Sequence, residues 1–109
     1  MELNAYRIMW LFVFFDLPTE TKKNRRDAQK FRKNLLKDGF TMMQFSVYSR
    51  HCASYESANA HDKRIKNLLP PYGKVTILRV TDKQYGDMRN FWGKTPENKP
   101  PLPQQLELF

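Results

Sequence analysis

The chain has little with which to brace itself by covalent or metal cross-links. Cys52 is the one cysteine among 109 residues, so no internal disulfide can form. A lone thiol fits a reducing compartment, and a cytoplasmic location is expected. The two histidines, His51 and His61, lack any CxxC or HxxxH partner, which argues against a zinc site. Only four glycines are present, and none sits in a Gly-rich phosphate loop. Nothing suggests a serine or cysteine nucleophile. The longest apolar run is eight residues, 8–15, too short to cross a bilayer. A signal peptide is disfavoured as well: Glu2 lies in its n-region, and Asp-Leu-Pro follows where small residues should stand.

Positive charge is what the chain has in excess. Lysine and arginine number 19 against 11 acidic residues, a formal net charge of +8. Such an imbalance points to a polyanionic partner, most often nucleic acid. No long amphipathic anchor accompanies it, so a membrane surface is not expected. Length allows one domain with a small core.

The apolar run 8–15 ends on Asp16. It is rich in aromatic residues and reads as a central strand buried on both faces. Leu17-Pro18 ends the ladder, because proline has no N–H to donate. Asp16 thus stands at the carboxyl end of a core strand, just before a helix. Chemistry often sits there in α/β folds; an aspartate that only helps the chain turn would sit there too.

Thr19 or Thr21 can cap the first helix, with Glu20 favourable in its first turn. The helix runs to about Asp38, and Gly39 stops it. Ala28, Phe31, Leu35 and Leu36 make its apolar stripe. Its other faces carry Lys22, Lys23, Arg25, Arg26, Lys30, Arg32, Lys33 and Lys37, answered only by Glu20, Asp27 and Asp38. Residues 40–52 alternate as strand does, either as one bent strand or as two with a break near Phe45-Ser46. Ser54 or Ser57 caps a second helix reaching about Leu69, with Ala58, Ile65, Leu68 and Leu69 inward. Pro70-Pro71 ends it. Residues 75–80 form another strand, and 85–92 a turn and short strand. Four of the seven prolines fall in residues 95–103, a stiff linker. Residues 104–109 are a terminal strand expected to add to a sheet edge of this chain or of a second copy.

The expected architecture is α+β: a ferredoxin-like βαββαβ domain over residues 1–94, with linker and extra C-terminal strand over 95–109. Both helices lie on one face. The other face needs a cover, and a second protomer supplies it, giving a homodimer. One carboxylate cannot hold magnesium alone, but two copies of Asp16 meeting near the two-fold axis could, with water and phosphate oxygens completing the shell. Asp82, Asp87 and Glu97 read as structural. An RNA-recognition motif is disfavoured, since KVTILRVT (74–81) has no aromatic on which bases could stack. Backbone contact by Arg and Lys, with little base readout, is expected instead. The candidates are Lys22, Lys23, Arg25, Arg26, Arg32, Lys33 and Arg50.

VFFDLPTET, FRKNLLKDGF, MQFSVYSR and LPPYGKVTILRVTDKQ, in that order, with terminal QLELF, resemble the small CRISPR-associated adaptation protein of the branch found with type II systems. That family is the ferredoxin-like partner of the CRISPR integrase. The resemblance implies a homodimer whose C-terminal strand packs on the partner's sheet. It implies a dimer that bridges integrase dimers and holds double-stranded DNA during spacer acquisition. It also implies a magnesium-dependent endonuclease whose motif aspartate matches Asp16, and a basic first helix matched by Arg25 and Arg26. A toxin-like metal-dependent ribonuclease on the same fold is the alternative.

Overall fold

The computed structural model describes residues 8–94. The expected linker and terminal strand, 95–109, lie outside the described residues. Seven elements follow in order: β1 (Met9–Asp16), α1 (Lys22–Lys37), β2 (Thr41–Gln44), β3 (Val47–Cys52), α2 (Tyr55–Asn67), β4 (Lys74–Thr81) and α3 (Asp82–Gly86). The strands form one antiparallel sheet in the order β2-β3-β1-β4. This is the ferredoxin-like βαββαβ arrangement, with a short helix appended.

Residues 40–52 are two strands, not one. The break falls at Phe45-Ser46, where Ser46 adopts φ 61°. Its carbonyl accepts from the Phe15 amide at 3.1 Å, tying the turn to the end of β1. Thr21 caps α1 through its hydroxyl, and Ser54 caps α2. Glu20 precedes the cap, so it is not in the first turn, which holds no acid.

The helix-facing side of β1 carries Met9, Leu11, Val13 and Phe15, all buried with Phe31, Leu35, Ala58 and Ile65 of the helices. Strand period 2 places Trp10, Phe12, Phe14 and Asp16 on the other side. That side is not uniformly buried as the apolar run suggested. Phe12 is covered, but Phe14 is exposed, as are Leu36 on α1 and Leu69, which lies beyond the end of α2. A helix stripe read from spacing overruns where it passes the rim of the sheet. Residues 85–92 also depart from expectation: Tyr85 belongs to α3, and no strand follows among the described residues. A capping box between Thr81 and Gln84 closes α3 directly onto the end of β4. Tyr85 then stacks on Trp10 at 3.6 Å, and the Trp10 indole donates to Asp82 at 2.7 Å. That gives the structural reading of Asp82 a specific bond.

Candidate nucleic-acid interface

Asp16 is the last residue of β1 and is exposed on the face away from the long helices. Lys74, the first residue of β4, stands directly opposite it in the antiparallel register. The two line one open cavity of about 280 Å³ with Phe14, Phe15, Phe45, Ser46, Val47 and Thr76. Gly73 fixes how closely the α2–β4 loop approaches. Its φ is +101°, and a Cβ there would lie 2.8 Å from the Asp16 carbonyl oxygen and 2.7 Å from Leu17 Cδ2. Only glycine lets this loop lie against the strand end.

The candidate cations divide into two groups. Lys22, Arg26 and Lys33 are exposed on α1 and make no ion pair among the described residues. Lys23 pairs with Asp27 at 3.1 Å in an i,i+4 bridge whose lysine is exposed and whose aspartate is half-buried. Arg25 reaches back to donate to the Thr19 carbonyl at 2.8 Å, bracing the loop after Asp16. Arg32 and Arg50 are turned inward. The Arg32 guanidinium lies 5.8 Å from the Phe15 ring centroid and 5.5 Å from that of Phe45, at cation–π range. Arg50 donates from Nε to the Asp38 carbonyl at 2.7 Å and from Nη1 to the His51 carbonyl at 2.6 Å. Its guanidinium also fills the space beside Gly39, which takes φ +88°.

Sequence reasoning missed a junction at Asp38. Its carboxylate accepts from His61 Nδ1 at 2.7 Å and from Arg64 Nη1 at 2.9 Å, while its carbonyl accepts from Arg50. The end of α1 is thereby tied to α2 and β3 through one residue. No local signal announces it, because the partners lie 12 to 26 residues away. Burial pushes the Cys52 thiol up from its ordinary value, with Arg50 pulling the other way. Burial likewise raises the Tyr48 phenol, opposed by Arg32.

The described residues of one chain do not fit a magnesium ion. Among them no three His, Cys, Asp or Glu side chains converge, and the residue opposite Asp16 in the ladder is a lysine, not a second acid. No helix among them is long and apolar enough to cross a membrane.

Comparison with known proteins bears on what this geometry belongs to. Residues 9–88 match the family described as CRISPR associated protein Cas2. A relative from Flavobacterium psychrophilum, named CRISPR-associated endoribonuclease Cas2, is 57% identical over 98% of this chain and 93% of its own. One of the same name from Parvibaculum lavamentivorans is 50% identical over 93% of this chain and 100% of its own. A crystal structure of cas2 aligns at a TM-score of 0.48 and 21% identity, covering 66% of this chain and 74% of that one. From Met9 in the first strand to Met88 beyond the last, then, the chain belongs to the Cas2 family of CRISPR-associated proteins.

Proposed function

We propose that the chain works as a homodimer in CRISPR adaptation, binding double-stranded DNA through its cationic surface and scaffolding the integrase. Phosphodiester cleavage centred on Asp16 is a separable activity. The observation that carries this reading is family membership joined to an exposed Asp16 at the end of a sheet face that α3 covers only in part. The exposed Phe14 and Leu78 on that face favour a second copy as its cover. Lys22, Arg26 and Lys33, exposed and without an ion pair among the described residues, favour a phosphate backbone as ligand. Magnesium enters this reading only through the dimer, since among the described residues Asp16 is the one carboxylate lining that cavity. Bound between two copies of Asp16, the ion would supply hydroxide and offset charge on the phosphate.

The test is Asp16→Asn, assayed for duplex cleavage, sedimentation and capture of the cognate integrase with a short duplex. The expected variant is dimeric, holds DNA and integrase, and does not cut. Unchanged spacer acquisition by this variant makes cleavage dispensable to the biological task. A chain that sediments as a monomer under all conditions and ignores duplexes at low ionic strength overturns the proposal.

A second reading is a metal-dependent ribonuclease acting alone, favoured by the endoribonuclease name of the relatives. Cleavage of messenger RNA by the purified protein without integrase would select it.

A further inference from the structure

We infer that Lys74 is a phosphate-contacting residue of the Asp16 site, seating a backbone oxygen of the nucleic acid beside the carboxylate. The inference rests on the nucleic-acid reading above and adds a residue that neither the basic helix nor the charge count pointed to. Asp16 and a phosphodiester are both anions, so a backbone cannot approach the carboxylate without a nearby cation. Of the α1 cations, Arg32 is laid over the Phe15 and Phe45 rings and Arg25 is bonded to the Thr19 carbonyl. Lys74 is on the same sheet face as Asp16 and directly across from it.

Three further observations support the assignment. Asp16 and Lys74 line the same open cavity. Opposite charges facing each other across strands ordinarily close into a pair. Here, among the described residues, neither side chain makes an ion pair, and both remain available to a ligand. The approach of Lys74 to the strand end is also built in. Gly73, immediately before it, packs its backbone against Asp16 and Leu17 in a conformation that excludes a side chain.

The ligand class is the sugar–phosphate backbone, and two sources share that chemistry: duplex DNA and single-stranded RNA. The experiment measures binding of each by the full chain, by fluorescence anisotropy over roughly 50 to 200 mM salt. Wild type is compared with Lys74→Gln, Lys74→Arg and, as a control for net charge, Lys66→Gln on α2. On the strand that occupies the site, Lys74→Gln should shrink the slope of log affinity against log salt. The loss should be about 0.9 on duplex, or about 0.7 on a single strand. Lys74→Arg should restore the slope, and Lys66→Gln should leave it at the wild-type value. An unchanged slope for Lys74→Gln on both ligands, with wild type binding normally, overturns this inference and leaves the nucleic-acid reading standing. An equal loss in Lys66→Gln also overturns it, since net charge alone then explains the effect. Failure of wild type to bind either ligand overturns both.

Discussion

Replacing Gly73 with alanine should be among the most damaging single-methyl additions to this domain. Two costs combine. A φ of +101° lies where L side chains are strained, at about 1–3 kcal/mol. The added Cβ would also sit 2.8 Å from the Asp16 carbonyl oxygen and 3.0 Å from Leu17 Cα, both backbone atoms that cannot rotate aside. Overpacking of that kind costs roughly 1–3 kcal/mol, part of it relieved by a shift of the loop. A net loss of about 2–4 kcal/mol is a large share of the roughly 5–15 kcal/mol that holds a domain together. For a domain of this size it corresponds to a fall in Tm of roughly 10–25 °C, read by circular dichroism. Gly86→Ala is the internal control. Its Cβ would meet nothing within 4 Å, so a change within about 0.5 kcal/mol is expected. The loop shift should also move Lys74 away from Asp16, weakening nucleic-acid binding even well below Tm. A Gly73→Ala protein that melts with Gly86→Ala and wild type would refute the idea that this loop is pressed onto the strand end.

Asp38→Ala should cost roughly 1–3 kcal/mol in urea unfolding, because the buried His61 loses its partner. Arg64→Ala should cost less than about 1 kcal/mol, its side chain being largely exposed; equal losses would mean that the ion pair, not the histidine bond, joins the helices. Folded Cys52 holds its proton more tightly than the ordinary thiol near 9.0, so above that pH the unfolded chain releases its proton first. Stability complete below pH 9 should therefore fall as pH rises from there through the folded value, and Cys52→Ala should flatten the drop measured above about pH 9. Deleting residues 104–109 should weaken dimerisation in sedimentation equilibrium or the capture of integrase, and an unaltered complex would make that tail incidental.

Most of the fold was legible in the chain because its signals are local. The apolar run ending at Asp16, the hydroxyl residues before each helix, among which the structure uses Thr21 over Thr19 and Ser54 over Ser57, and the prolines after α2 each mark an element by chemistry within a few residues. Residues 40–52 were ambiguous, since alternation persists through a two-residue turn and only the φ of Ser46 reveals the break. The faces were less legible than the elements. Spacing puts Leu36 and Leu69 on apolar stripes, but Leu36 is exposed on α1 and Leu69 falls beyond the end of α2. Cations were the least legible. Arg26 and Arg32 look alike in a list of basic residues, yet one is exposed and the other is laid over Phe15 and Phe45. Arg50 likewise spends its donors on the carbonyls of Asp38 and His51. Such engagements depend on what tertiary structure brings near, and no period in the sequence encodes them. Asp16 itself was legible by position, whereas Lys74 became visible only once the strand register was known.

The ladder between β1 and β4 has a consequence for synthesis. The eight residues that end at Asp16 leave the ribosome well before their longest partner strand, residues 74–81. At ordinary translation rates that is a wait of roughly 3 to 12 seconds. Throughout it the most apolar segment of the chain can bond to β3 but has one bare edge. Nascent chains stalled before residue 74 should therefore be the forms that chaperones hold longest, and completion of β4 should release them.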